Sequence, residues 1–279
     1  MRLLPTGTNL SHMDFRVDGN AKNSIEFCDP LNPQFIPVVA VRSPVAMTVT
    51  TGQPAVAGRE THGVLTLRTA SGKPIAPEDL LVAHTKKLHL MIVDPSVTDY
   101  QHVHPEPTRT PGEWAFSFSP RRSGTYRLFA DFTPAATARG LYASVDLAVG
   151  AGDKEAPVSA AASSTDAPRP YNFQLTPGAL RIRAQQPADL KFTVTRDDGG
   201  AVPLEPVMGA FAHLVAFDEA RSGFAHLHPM EIDLAKPPDA IHPVLNFKVT
   251  IPRAGRYVIW AQVNLAGREA FVPFWFDVK

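Results

Sequence analysis

His89-Leu-Met-Ile-Val-Asp94, followed by Gln101-His102-Val-His104-Pro105, decides the fold, because the chain repeats it as His213-Leu-Val-Ala-Phe-Asp218 and Ala225-His226-Leu-His228-Pro229. In both copies 13 residues separate the first histidine from the second. Across residues 89–105 and 213–229, six of 17 positions are identical: the three histidines, Leu90/Leu214, Asp94/Asp218 and the closing proline. Duplication accounts for the shared register. It does not explain why every histidine is spared while the apolar residues beside them drift. Downstream, Pro120-Arg-Arg-Ser-Gly124-Thr-Tyr126 parallels Pro252-Arg-Ala-Gly255-Arg-Tyr257. In each, a glycine turn leads into a strand opening on tyrosine, and Tyr126 and Tyr257 read as corner residues bonded back to the preceding loop.

Outward from these segments the apolar residues alternate over five to nine positions, and no long 3.6-residue period appears. The alternation predicts strands over 45–51, 63–69, 88–93, 114–119, 126–132 and 141–149. In the second half it predicts them over 179–184, 190–195, 212–217, 245–251, 257–263 and 271–278. The 27 prolines and 18 glycines punctuate them. The expected class is all-β: two tandem immunoglobulin-like antiparallel β-sandwiches joined by a flexible linker. Residues 36–149 and 172–279 are the two sandwiches, and 1–35 form an irregular N-terminal extension that adds an edge strand or lies across the first. The linker, 150–171, holds a run of small residues and prolines with almost nothing to bury.

With 27 basic and 27 acidic residues, zero net charge and no basic stripe, the chain is not expected to bind nucleic acid. No apolar run approaches the roughly 20 residues of a membrane span, and no signal peptide is visible at the N-terminus. Cys28 is the only cysteine, so an intrachain disulfide is impossible; it reads as a small buried apolar residue.

The histidine spacing has a chemical rationale. Residues i and i+2 of a strand face one way, so His102-x-His104 and His226-x-His228 each present two imidazoles to one point. His89 and His213 open a neighbouring strand that the intervening loop folds back beside the pair. Three neutral imidazoles suit a copper or zinc ion. The competing explanation has these rings bonding loop carbonyls, with Asp94 and Asp218 capping the same loops. Met208 stands where the first copy has His84, and Met230 where it has Glu106, so the second copy is the softer in ligand character. Asp131 reads as an exposed strand carboxylate, with Gln262 as its counterpart, and His12, His62 and His242 as surface residues. Hydrolase, phosphate-loop and dinucleotide motifs are absent, so an enzyme is not expected; a metal-dependent one is the weakest of three readings.

A strand beginning with His, then Asp, then Tyr/Phe-x-His-x-His-Pro, an apolar strand and Pro-x-x-Gly-x-Tyr resembles the small bacterial immunoglobulin-like domains of the YtkA-like and FixH-like type, over about residues 60–149 and 185–279. The resemblance implies a cupredoxin-like sandwich and a periplasmic or cell-surface protein of metal handling, with a protein partner in that process. A blue-copper centre is not implied, since its Cys and late Met are missing beside these histidines. The function expected is binding, buffering or delivery of copper or zinc at one three-histidine site per domain. The alternative is a non-metal module of tandem sandwiches that binds a protein or glycan.

Overall fold

The computed structural model describes residues 10–15, 33–40, 42–153, 169–179 and 181–279. Cys28 and residues 154–168 of the expected linker lie outside them. Among the described residues there is no α-helix, only three short 3₁₀ turns.

The strands of the first unit begin with β1 (Val45–Thr51), β2 (Ala55–Val56), β3 (Thr61–Thr69), β4 (Leu80–Leu81) and β5 (Leu88–Val93), of which β1, β3 and β5 fall on the alternating segments. They continue as β6 (Tyr100–Val103), β7 (Glu106–Pro107), β8 (Glu113–Phe118), β9 (Gly124–Pro134) and β10 (Leu141–Gly150). One sheet runs β1-β3-β8-β7 and the other β2-β10-β9-β5-β6, antiparallel except where β2 meets β10. Their inner faces meet in a core that includes Leu65, Leu67, Trp114 and Phe116 from one sheet and Leu90, Ile92, Leu128 and Ala130 from the other. The leucine, isoleucine and phenylalanine side chains among these each contribute about 1.5–3 kcal/mol by leaving water.

The second unit repeats the order with β11 (Tyr171–Pro177), β12 (Pro187–Arg196), β13 (Leu204–Glu205), β14 (His213–Asp218), β15 (Phe224–Leu227), β16 (Val244–Thr250), β17 (Gly255–Leu265) and β18 (Arg268–Val278). Its sheets run β11-β12-β16 and β13-β17-β14-β15, with β18 on β17. Of the segment 179–184, expected as a strand, the described residues 179 and 181–184 are irregular, and among them one bridge joins Ile182 to Val278. Ile182 is buried, so an inward side chain on an irregular segment produced the alternation. The first strand of this unit is instead β11, which begins inside the expected linker.

The N-terminal extension is divided. Leu10 and Phe15 join the core of the first unit, whereas Phe35 is buried in that of the second. There, residues 33–37 form a strap between β15 and β16. Ile36 N–H donates to the Phe224 carbonyl (2.8 Å) and Phe224 N–H returns the bond (3.1 Å). Phe35 N–H donates to Thr250 O (3.0 Å), and Thr250 N–H to Pro33 O (2.9 Å). In the first unit the equivalent gap, β6 to the end of β8, is closed by one side chain. Gln101 Nε2 donates to Ser119 O (2.7 Å) while its Oε1 accepts from Ser119 N–H (3.0 Å). The amide group of Gln101 thus does in one unit what strap backbone does in the other.

Candidate metal centres

β5 and β14 break the alternation: five of the six residues of β14, and all six of β5, are buried. Their inner residues (Leu88, Leu90 and Ile92; Leu214 and Ala216) fill the sandwich cores. His89 and His213 point to the opposite face. There His89 pairs in register with Asp131 of β9, and His213 with Gln262 of β17. His102 lies opposite Met91 on β6, and His226 opposite Val215 on β15. Both strands stop one residue short of the last histidine, before the proline. His104 and His228 nevertheless keep the strand's i, i+2 relation to their partners.

Each set of three therefore converges, with one potential ligand atom per residue lying within 4.8 Å of the others. The two sets are near-copies. His89–His102, His89–His104 and His102–His104 have ring centroids 5.3, 5.0 and 4.8 Å apart at 41°, 83° and 48°. His213–His226, His213–His228 and His226–His228 give 5.5, 4.8 and 4.7 Å at 41°, 88° and 47°.

A tight turn orients the first ring in each set. Ala83 to Lys86 close on each other by two backbone hydrogen bonds, as do Val207 and Ala210. The central residues all have positive φ: His84 (48°) and Thr85 (68°), Met208 (49°) and Gly209 (78°), the geometry of a type I′ hairpin turn. Thr85, β-branched, is strained there, where Gly209 is not. The Ala83 carbonyl accepts from His89 Nε2 (2.9 Å) and the Val207 carbonyl from His213 Nε2 (3.0 Å). With Nε2 protonated, Nδ1 of each carries the lone pair, the arrangement by which a backbone carbonyl fixes a ligating imidazole. His89 Nδ1 lies 3.2 Å from His102 Nε2. A tetrahedral ion with Zn–N bonds of 2.0–2.1 Å holds its nitrogens roughly 3.3 Å apart. His104 Nε2 is buried with no hydrogen-bond partner among the described residues, a state that costs about 1–3 kcal/mol unless something occupies its lone pair.

Burial holds His104 down to a pKa of about 4, helped by the neighbouring His89 and Lys86. It also lowers His89, against the pull of Asp131. Both imidazoles are thus kept in the neutral form that a metal ligand requires. Asp131 is not the exposed carboxylate the sequence suggested: it is half-buried, and burial raises its pKa while His89 and His84 oppose the rise. The Ala83 and Val207 carbonyls were invisible in the sequence because a backbone acceptor carries no residue signature. Their only trace was the turn register of His84 and Met208, each five residues before a histidine.

Other residues fall outside the clusters. His12, His62 and His242 are on the surface, as expected, and Met230 is half exposed in the loop after Pro229. Asp94 caps its loop through the amides of Ser96 (3.1 Å), Thr98 and Asp99 (both 2.8 Å), and Asp218 caps its own through Ser222 (2.7 Å). Tyr257 donates to Arg253 O (3.0 Å), the corner bond expected. Tyr126 accepts from Arg122 N–H (3.2 Å) and donates to buried Asp99 (2.5 Å). His104 also lines an open groove on the first unit with His62, Glu106, Thr50 and Phe116.

Two such units, each built round the same three rings, amount to one domain used twice, and comparison with known families finds the same division. The model of a domain of unknown function, DUF8832, matches residues 42–148 and again residues 164–279. The chain belongs to the DUF8832 family. The family's description assigns no activity, and the kinship to YtkA-like and FixH-like domains remains a resemblance of motif. No curated protein matches the sequence. Among solved structures, a DUF4785 family protein from Legionella pneumophila subsp. pneumophila str. Philadelphia 1 is similar at 11% identity, with a TM-score of 0.26. The alignment covers 83% of this chain and 56% of that one, so this DUF8832 protein spans about half the length of that relative. No helix among the described residues is long and apolar enough to cross a membrane.

Proposed function

We propose that this protein binds two metal ions, copper or zinc, one at His89/His102/His104 and one at His213/His226/His228, and that it buffers or delivers them outside the cytoplasm. The observation that carries the reading is the duplicated geometry. Two clusters agree in ring spacing to within 0.2 Å and in angle to within 5°, although most of the residues between their histidines differ. Packing alone needs no such agreement. In both, Nε2 of the first ring is committed to a carbonyl while its Nδ1 turns toward the other rings. Placement in the periplasm or at the cell surface, and a partner in metal handling, rest on the resemblance of the motif. Binding rather than catalysis is the reading taken here because the chain carries no hydrolase, phosphate-loop or dinucleotide motif.

A non-metal reading draws on one specific observation: the 3.2 Å contact of His89 Nδ1 with His102 Nε2 is also the length of an N–H···N hydrogen bond. A proton would then sit where the ion would. Elemental analysis separates the two. The parent chain is expected to carry two ions per chain after equilibration with Cu²⁺ or Zn²⁺ and removal of excess, and the His102→Ala/His104→Ala/His226→Ala/His228→Ala variant none. Equal metal in both, with the variant folded, would sink the metal reading.

A further inference from the structure

The two clusters match in their rings and differ in what stands behind them. In the first, the residue paired with His89 across the β5–β9 ladder is Asp131, a half-buried carboxylate. In the second, the residue paired with His213 is Gln262, 2% exposed and neutral. Its Nε2 donates to Glu269 Oε2 (2.7 Å), a carboxylate one side chain further out, on an exposed residue open to screening. The turn position beside the first ring also changes, from His84 to Met208. Three neutral imidazoles contribute no charge of their own. An ion taken into such a buried site keeps its full charge unless an anion stands near.

We infer that the two centres sort ions by charge: the first, backed by Asp131, holds a divalent ion, and the second, backed by Gln262, holds a monovalent one of the Cu⁺ type. This rests on the metal-binding reading above. Coulomb attraction to a fixed carboxylate is twice as large for a dication as for a monocation at the same place, whatever the local dielectric. The Lys86 ammonium also acts on this cluster but is paired with the Glu106 carboxylate (3.3 Å), which leaves Asp131 to set the net charge beside it. The first site therefore gains on divalent ions relative to the second. A thioether at Met208 adds to the preference only if it reaches the ion, and the charge argument stands without it.

The test uses the full chain with one site disabled at a time: His226→Ala/His228→Ala leaves the first, and His102→Ala/His104→Ala the second. Zn²⁺ and Ag⁺, the latter a redox-inert stand-in for Cu⁺, are titrated against competing chelators at one pH. The ratio of Zn²⁺ to Ag⁺ affinity is expected to be about 10-fold higher for the first site. Asp131→Asn in the first site should weaken Zn²⁺ by about 100-fold and Ag⁺ by about 10-fold, the two-to-one relation in logarithms that charge dictates. In the second site, Gln262→Glu with Glu269→Gln, which avoids setting two carboxylates together, should move the ratio toward Zn²⁺. Equal ratios at the two sites would overturn the proposal, as would an equal loss of both ions in Asp131→Asn, which would make Asp131 a structural residue. Binding of neither ion at either site would fell the metal-binding reading itself.

Discussion

Gly223→Ala should detach the strap from the second unit. A Cβ on Gly223 would lie 1.8 Å from the Ile36 carbonyl oxygen and 2.8 Å from Pro37 Cα, both backbone atoms that cannot swing aside. What the displaced strap takes with it can be summed from its contacts. It loses the two hydrogen bonds with Phe224 and the two with Thr250, each worth about 0.5–1.5 kcal/mol net of exchange with water. It also withdraws Phe35, 5% exposed and packed edge-on to Tyr257 at 5.6 Å, where a Phe→Ala change typically costs about 3–5 kcal/mol. Together these come to about 5–11 kcal/mol, and relaxation that keeps part of Phe35 buried lowers the expected loss to about 3–5 kcal/mol. Denaturant unfolding followed by tryptophan emission resolves the units, because Trp114 lies in the first and Trp260 and Trp275 in the second. Gly52→Ala, where an added Cβ meets nothing within 4 Å, is the control. Phe35→Ala combined with Gly223→Ala should cost little more than Gly223→Ala alone, since both act through one strap. A loss below about 1 kcal/mol, additive costs, or a fall carried by Trp114 would refute the reasoning.

Two further outcomes follow from buried groups. In the metal-free protein the first unit should lose stability as pH drops from about 6.5 toward 4. The unfolded chain protonates its histidines near 6.5, whereas burial holds folded His89 below that and His104 near 4. Protons therefore bind the unfolded state preferentially over that window; a Trp114 unfolding midpoint unchanged between pH 7 and 4.5 would contradict this. Tyr126→Phe should cost about 1–3 kcal/mol because it removes the hydroxyl shared by buried Asp99 and the Arg122 amide. Tyr257→Phe gives up only the bond to Arg253 O and should cost less than about 1.5 kcal/mol, the two being compared by thermal unfolding.

Much of this was legible in the chain because period-2 patterning and short motifs are local. The doubled His…His-x-His-Pro, with its fixed interval, located both clusters and the strands that carry them. The rest depends on contacts distant in sequence or on backbone atoms, neither of which leaves a local pattern. Residues 33–37 could not be assigned to the second unit from local pattern, since their partners are Phe224 and Thr250. Asp131 looked like an outward strand carboxylate because its alternation was judged against one core, whereas β5 and β9 are buried on both faces near His89. The segment 179–184 failed for the converse reason: one buried Ile182 simulated a strand between Gly178 and Gln185, whose φ of 62° breaks the extended run.

The strap also bears on how the protein is made. Residues 33–37 leave the ribosome before the first unit, yet the strands they join, β15 and β16, are synthesised roughly 200 residues later. The first unit can close as it emerges. The second cannot be finished until its earliest-made strand, held in waiting through the synthesis of everything between, finds the gap beside Gly223. Expressed from residue 172 onward, the second unit would lack both this strand and the first residue of β11, Tyr171, and would expose an unfilled sheet edge beside His226.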